Sequence, residues 1–240
     1  MYRGLSVIAI VPVFNEAAKI GEVVARMPRE IVDEVVVVDD GSTDRSVEVA
    51  RSFGAEVISM GATLGVGAAL RTGYRYAIER GYDVAVTVAG NNKDAPEEIP
   101  LLLEPIGENR ADFVQGSRFL KRGANLGAMP AYRQIATRLH PVLFSLVARR
   151  WVTESTNGFR AVRTRVLADT RIDLSQAWLW QYELEPYLYL RIIQLGYRTA
   201  EVPVTKIYPP KYLGQTKMKP VVGWWSILRP LVYVGLGLRK

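Results

Sequence analysis

The sequence contains no cysteine and only one histidine, His140. The lack of thiols excludes a disulfide scaffold, a thiolate metal site and a cysteine nucleophile, and a single imidazole excludes a histidine-rich metal centre. No uninterrupted apolar run reaches about 18 residues, so an ordinary membrane-spanning helix is not expected. Acidic residues are missing from residues 202–240, which hold seven bases, whereas residues 1–201 are electrically neutral. Because that basic segment is apolar and the rest is neutral, a nucleic-acid partner is not expected.

The remaining composition is that of a folded domain. The chain has 240 residues, of which 49% are hydrophobic and 23% charged, enough for one large core. Short β-branched runs predict four strands, at residues 6–13, 34–39, 56–59 and 84–88. Apolar residues at helical spacing predict the helices between them, at residues 17–27, 46–53 and 67–80. This alternation predicts an α/β fold with a mostly parallel sheet, helices on both faces, and ligands at the carboxyl ends of the strands.

The second half of the chain has a less regular pattern. It predicts helices over Arg133–Arg150 and Leu179–Gln194 and a strand over Arg198–Lys206. His140 precedes a proline and is interpreted as a helix-end residue. Residues 219–240 are aromatic and apolar with basic ends and are broken by prolines and glycines, which predicts two short helices on a membrane surface. A dimer interface or a cover for the domain is the alternative for this segment.

Two polar motifs follow the first two predicted strands. The first is V-P-V-F-N-E at residues 11–16 and the second is D-D-G-S-T-D at residues 39–44. In a parallel sheet both turns lie at the same edge, side by side. Acids at strand ends can accept hydrogen bonds from a base N–H or from ribose hydroxyls, which favours a nucleotide site. Turn formation and helix capping by the same side chains is the alternative.

The two motifs resemble those of the family 2 glycosyltransferases, and within them the dolichyl-phosphate mannose synthase-like branch. Further matches are G-S-R at residues 116–118, N-G-F-R at 157–160 and E-V-P-V at 201–204. A glycine-rich segment at residues 65–73 is close to the family's helix start and is interpreted as scaffold more than as ligand contact. The resemblance implies a GT-A fold, with a main domain at residues 1–218 and an interfacial segment at 219–240. It also implies a nucleoside-diphosphate sugar donor held by Pro12, Asn15, Glu16, Asp39 and Asp40.

The chain departs from the family at the end of the fourth strand. The resembling enzymes have D-x-D there, whose carboxylates hold Mg²⁺ or Mn²⁺ against the donor diphosphate. Counted back from P-E-E-I-P at residues 96–100, the motif falls on A-G-N at residues 89–91, so both acids are missing.

Three interpretations of this departure remain open. Asn91 and Asn92 could offer amide oxygens to a weakly held Mg²⁺ or Mn²⁺, with Asp94 or Asp40 supplying charge. Lys93 could replace the metal by placing an ammonium group against the diphosphate, and an ordinary solvated loop lysine is its alternative. The protein could also bind a nucleotide sugar without catalysis.

The resemblance assigns further residues to phosphate binding and to catalysis. Arg118, Arg133 and Lys217 are expected to collect phosphate charge, with surface ion pairs as the alternative for the two arginines. Glu154 takes the position of the family's candidate base, or of a group that orients the acceptor. A phosphate acceptor is already largely ionised and hardly needs a base. Glu183 and Glu185 are weaker candidates for a second acid.

The resemblance implies a glycosyltransferase that inverts the anomeric carbon, and with the basic, aromatic C-terminal segment it predicts an enzyme at the cytoplasmic face of the membrane. It would move a sugar to a polyprenyl phosphate or related lipid-linked acceptor, while its C-terminal segment contacts the membrane surface. The alternatives are a transferase acting on a soluble acceptor and a non-catalytic nucleotide-sugar binding protein.

Overall fold

The β-branched runs of the first half form the centre of a mixed sheet. The computed structural model describes residues 1–120, 129–208 and 222–239, and within them seven strands pair in the order β3-β2-β1-β4-β6-β5-β7. The strands are β1 (Val7–Val13), β2 (Glu34–Asp39), β3 (Glu56–Ser59), β4 (Val84–Thr87), β5 (Phe113–Ser117), β6 (Arg160–Arg163) and β7 (Thr199–Pro203). Only β6 runs antiparallel to its neighbours among these pairings. The predicted α/β fold with a mostly parallel sheet is confirmed.

Helices cover both faces of this sheet. They are α1 (Ala17–Ala25), α2 (Ser46–Ser52), α3 (Val66–Glu79), α4 (Ile99–Gly107), α5 (Ala131–Ala148), α6 (Thr164–Leu167), α7 (Leu184–Gln194) and α8 (Val222–Gly235), with a 3₁₀ turn at Pro96–Glu98. Side chains alternate across a strand, so Val7, Ala9 and Val11 of β1 join the core beneath α1, α2 and α4. Ile8 and Ile10 join the opposite core beneath α3, α5, α7 and α8. Because both cores are buried, the strand sequences are continuously apolar.

The predicted helix over residues 179–194 begins too early. α7 starts at Leu184, and the residues before it instead lie against the first turn of α3, where the Ala68 N–H donates to the Trp180 carbonyl at 3.2 Å. Leu179, Trp180 and Tyr182 continue the apolar pattern into α7 although Gln181 is exposed, so periodicity alone does not separate the two parts.

α5 confirms the predicted helix over Arg133–Arg150, but two interpretations that rested on prolines are wrong. α5 continues through Pro141, which places His140 inside the helix. α8 continues through Pro230 as one helix where two were predicted. Burial compensates for the missing N–H groups, since Phe144 of α5 and Leu231 of α8 lie in the same core. The predicted domain boundary between residues 218 and 219 lies outside the described residues. No helix in the described ranges is both long enough and apolar enough to cross a membrane.

Candidate functional site

A cavity of about 920 Å³ opens at the carboxyl ends of β1, β2 and β4. Its walls come from the turns after those strands, the start of α3, α5, residues 181–186, the segment after β7, and α8. This is the edge at which the strand order predicts a ligand.

The two strand-end motifs interlock at one side of this cavity. The Asn15 side-chain oxygen accepts hydrogen bonds from the N–H groups of Thr43 at 2.8 Å and Asp44 at 3.3 Å. The Asn15 N–H donates to the Ser42 hydroxyl at 2.9 Å, and the Ser42 N–H donates to Asp39 at 2.9 Å. The predicted juxtaposition of the motifs is therefore present. The turn interpretation also holds for these contacts, because Asn15 and Asp39 hold the two loops together.

Asp40 connects this edge to the next helix. Its carboxylate accepts hydrogen bonds from two successive backbone N–H groups before α3, at 2.6 and 2.9 Å. Asp40, Pro12 and Glu16 line the cavity, and Glu16 forms an ion pair with Lys19 at 2.6 Å. Asp40 thus fixes the start of α3 at the rim of the cavity, and it also lines the cavity.

The glycine-rich segment acts through close packing. A side chain at Gly65 would place its Cβ 2.4 Å from the Trp180 carbonyl oxygen, and one at Gly67 would meet the Leu179 carbonyl oxygen at 2.3 Å. Gly65 also has a φ of 110°, which L-residues with a side chain rarely adopt. These contacts support the scaffold interpretation of this segment.

In the loop after β4, where the resembling enzymes have D-x-D, Asn92 and Asp94 form hydrogen bonds or ion pairs with other residues of the protein. The Asn92 amide oxygen accepts from Arg26 at 2.9 Å. Asp94 binds the Lys206 ammonium at 2.5 Å through one oxygen and accepts a backbone N–H of the same loop at 2.9 Å through the other. The Asn91 side-chain oxygen is buried and has no hydrogen-bond partner among the described residues.

A divalent metal does not fit this set of donors. Mg²⁺ and Mn²⁺ favour several oxygen ligands that include carboxylates, and the Asn91 amide is the neutral oxygen left at this position. The carboxylates of Asp94 and Asp40 are occupied by an ammonium group and by backbone N–H groups. Among the described residues, no three acidic or imidazole side chains are grouped as they would be around an ion.

Three basic side chains line the cavity next to the loop after β4. We call Lys93, Arg133 and Lys206 the cation cluster; all three line the cavity. The Lys93 ammonium lies 5.0 Å, and the Arg133 guanidinium carbon 5.5 Å, from the ring centroid of buried Tyr208. Lys93 is 6% exposed, so the solvated-loop interpretation of this residue is wrong. Burial first, then the charges of Lys206 and Arg133, lower the pKa of Lys93 to about 7.

Glu154 and Arg118 form a buried pair behind the cavity wall. Arg118 Nε donates to Glu154 at 2.5 Å, and the two side chains are 2% and 0% exposed. The other Glu154 oxygen accepts from the N–H groups of Ser155 and Thr156 and from the Thr156 hydroxyl. Ser155 and Thr156 line the cavity, whereas Glu154 is not among its lining residues. In this arrangement the Glu154 carboxylate holds Arg118 and the two wall residues Ser155 and Thr156 in place.

The C-terminal helix forms part of the cavity. Arg229 of α8 pairs with Glu183 at 3.1 Å, and burial raises the pKa of the Glu183 carboxyl. Glu185 pairs with Arg160 at 3.2 Å. Both glutamates line the cavity, as does Arg229. Arg229 is not among the predicted site residues, because residues 219–240 are interpreted first as a membrane-surface segment, with a dimer interface or a cover for the domain as the alternative.

Tyr208 is a second residue that sequence reasoning missed. It lies two positions after Lys206, beyond the E-V-P strand, and an aromatic residue between basic ones is the signal that could have indicated it. Lys217, predicted as a phosphate ligand, lies outside the described residues.

Comparison with known proteins identifies the family. The model of glycosyl transferase family 2 matches residues 8–171. The chain belongs to this family. This glycosyltransferase is 30% identical over 221 residues to an undecaprenyl-phosphate mannosyltransferase of Micrococcus luteus, covering 89% of this chain and 88% of that protein. It is 32% identical over 231 residues to a dolichyl-phosphate hexose transferase of Haloferax volcanii, with 93% and 91% covered.

Solved structures agree on the fold of this glycosyltransferase. A glucosyl-3-phosphoglycerate synthase of Mycobacterium tuberculosis, in complex with Mn²⁺, UDP and phosphoglyceric acid, superimposes with a TM-score of 0.71. The match covers 99% of this chain and 80% of that one at 20% sequence identity. These solved structures confirm the predicted GT-A fold. The family match and the two relatives confirm the predicted resemblance to the polyprenyl-phosphate branch.

Proposed function

We propose that this glycosyltransferase moves a sugar from a nucleoside-diphosphate sugar to a polyprenyl phosphate in the membrane, with inversion at the anomeric carbon. The donor side of the proposal is supported by the cavity at the ends of β1, β2 and β4. In this proposal Asp40, which lines the cavity, lies at the nucleoside, and Asp39 supports the turn beside it through its hydrogen bond from Ser42. The cation cluster, which also lines the cavity, would lie at the diphosphate. The acceptor side is supported by the relatives' names, which include undecaprenyl-phosphate and dolichyl-phosphate transferases.

The observation that carries the lipid acceptor is an exposed apolar surface on α5 and α8. On α5, Ile135, Leu139 and Leu146 are 69%, 54% and 72% exposed. Trp225 of α8 is 47% exposed, and Leu236, directly after α8, is 71% exposed. Side chains this apolar are rarely left in water along one helix, so they indicate a binding surface.

The two helices lie side by side next to the cavity. His140 of α5 contacts the Ile227 carbonyl of α8 at 3.3 Å, and Ile227 lines the cavity. Residues 131–150 and 202–240 contain bases and no acidic residue. Apolar side chains with basic neighbours match a bilayer that carries anionic headgroups. We therefore extend the predicted membrane contact of residues 219–240 to include α5, and we place it on the cytoplasmic leaflet.

The reaction needs positioning more than proton transfer. A phosphate oxygen of the acceptor attacks the anomeric carbon while the bond from that carbon to the donor's diphosphate oxygen breaks. The leaving oxygen keeps the electron pair, and the products are the sugar-bearing lipid phosphate and a nucleoside diphosphate. Because the attacking oxygen is ionised at neutral pH, no group has to remove a proton from it. Buried or half-buried cations near both phosphates would stabilise the charge that moves during transfer.

The experiment compares transfer to polyprenyl phosphate in vesicles that contain phosphatidylglycerol, for the full chain and for the double variant Ile135→Glu/Leu139→Glu. We expect the variant to lose vesicle binding and to lose transfer at least tenfold, because two charges would have to enter the interface. Ile78→Glu on α3, where the native side chain is 38% exposed, is the matched control and should behave like the unmodified chain. Unchanged vesicle binding and transfer in the double variant would contradict the lipid interface. Transfer to soluble saccharides with no lipid product would favour the soluble-acceptor alternative.

A further inference from the structure

The loop after β4 presents positive charge where the resembling enzymes present carboxylates. We propose that this chain holds the donor diphosphate with three side-chain cations, Lys93, Arg133 and Lys206, in place of a divalent metal. The inference rests on the proposed function, because it concerns the diphosphate of the proposed donor.

Three separate parts of the chain bring these cations to one cavity wall. Lys93 belongs to the loop after β4, Arg133 to the first turn of α5, and Lys206 to the segment after β7. Lys93 and Arg133 both lie against the ring of Tyr208. The Tyr208 hydroxyl accepts a hydrogen bond from Arg118 at 3.2 Å, and the residue is 3% exposed. Because the ring is fixed from behind by a buried arginine, the positions of Lys93 and Arg133 against it are also restricted.

Asp94 positions the cluster and does not neutralise it. Its carboxylate ties Lys206 to the β4 loop, and the Ile207 N–H donates to the Lys93 carbonyl at 3.0 Å. The loop after β4 and the segment after β7 are therefore joined by side-chain and backbone contacts. Asp94 pairs with Lys206. Lys206, Arg133 and Lys19 act on Lys93 with positive charge and Glu16 acts on it with negative charge, so positive charge predominates around Lys93.

A diphosphate suits this wall better than a metal does. The Arg133 Nε is buried with no hydrogen-bond partner among the described residues, and a phosphate oxygen is the kind of acceptor that would satisfy it. A dication would be repelled by the same three charges, and among the described side-chain oxygens of the loop after β4 only the neutral Asn91 oxygen has no hydrogen-bond partner. Lysine and arginine can stabilise the negative charge that develops on the leaving diphosphate as its bond to the sugar breaks.

The test is calorimetric binding of UDP and of GDP to the full chain, with excess Mn²⁺, with excess Mg²⁺ and with EDTA. We expect the affinity for the preferred nucleotide to change by less than about threefold among the three conditions. Lys93→Met, which keeps the length of the buried chain, should weaken binding about 10- to 100-fold, as expected for loss of a charge-assisted contact. Arg75→Met on the surface of α3, where the native side chain is 71% exposed, is the control and should leave binding unchanged.

The outcomes separate this inference from the proposed function. Tight binding that requires Mn²⁺ or Mg²⁺, or full affinity in a folded Lys93→Met variant, would overturn the metal-free site and leave a glycosyltransferase with an ordinary metal. If Lys93→Met does not fold, as judged by circular dichroism, the metal series on the unmodified chain decides alone. Absence of nucleotide binding under every condition would overturn both the inference and the proposed donor.

Discussion

Replacement of Glu154 by glutamine separates two roles for the residue at the family's candidate-base position. In the structure its carboxylate is fully buried and accepts four hydrogen bonds, one of them from the Arg118 guanidinium at 2.5 Å. Glu154→Gln removes the charge that compensates Arg118 and turns an amide N–H₂ group toward a donor. Loss of one partner of a buried ion pair costs about 3–5 kcal/mol, so we expect the free energy of unfolding to fall by about that amount.

The assay is urea denaturation followed by tryptophan fluorescence, since the chain has five tryptophans. Glu79→Gln, at a site on α3 where the side chain is 66% exposed, should change the free energy of unfolding by less than about 0.5 kcal/mol. In a double-mutant cycle with Arg118→Met, the combined variant should lose much less stability than the sum of the single variants.

Transfer activity completes this test. Since a phosphate acceptor needs no base, turnover of Glu154→Gln should decline with the folded fraction and not further. A fully stable Glu154→Gln protein with transfer reduced a hundredfold or more would refute this reasoning and restore Glu154 as a catalytic group.

Three further predictions concern the scaffold. Gly67→Ala should lower the free energy of unfolding by more than about 2 kcal/mol in denaturant titrations, because its Cβ would meet the Leu179 carbonyl at 2.3 Å; retained stability would contradict the tight packing. Asp40→Ala should weaken nucleotide binding more than about tenfold by calorimetry, because the rim of the cavity loses the acceptor for two N–H groups; unchanged affinity would contradict its placement at the nucleotide. Hydrogen bonds from Arg198 hold the pKa of buried Asp112 well below its usual range, so the ionised form stabilises the fold above about pH 4 and this contribution is lost as the pH falls. Asp112→Asn should therefore cost about 1–2 kcal/mol at pH 7, since the partner arginines are partly exposed, and the difference should shrink toward pH 2; a loss that is independent of pH would contradict this assignment.

The first half of the fold could be predicted because its strands are buried on both faces. Such strands consist of uninterrupted β-branched residues, and the polar motifs at residues 11–16 and 39–44 follow them directly. Parallel pairing then places the motifs side by side, as the hydrogen bonds of Asn15 confirm.

The second half could not be predicted as well because burial hides its boundaries. Leu179, Trp180 and Tyr182 carry the apolar pattern of α7 backwards, and the close approach to Gly65 and Gly67 distinguishes the segment that lies on α3. Pro141 favours the interpretation of His140 as a helix-end residue, and Pro230 favours two short helices in place of one. The packing of α5 and α8 against the core outweighs the loss of the proline N–H groups.

In the candidate site, too, some residues could be predicted from sequence motifs and others could not. The acids and glycines near β1 and β2 belong to recognisable motifs, whereas Tyr208 and Arg229 reach the cavity only through tertiary packing. The exposed face of α5 could have been recognised earlier, because Ile135, Leu139 and Leu146 recur at helical spacing in a segment without acids.

The central claim is tested most directly by the product of the reaction. The full chain would be incubated with polyprenyl phosphate in detergent and with a panel of UDP- and GDP-sugars, and the lipid fraction would be analysed by mass spectrometry. We predict a lipid phosphate heavier by one sugar residue with at least one donor, formed in equal amount to the released nucleoside diphosphate. An unmodified lipid with every donor, or a sugar found only on water-soluble acceptors, would contradict the account.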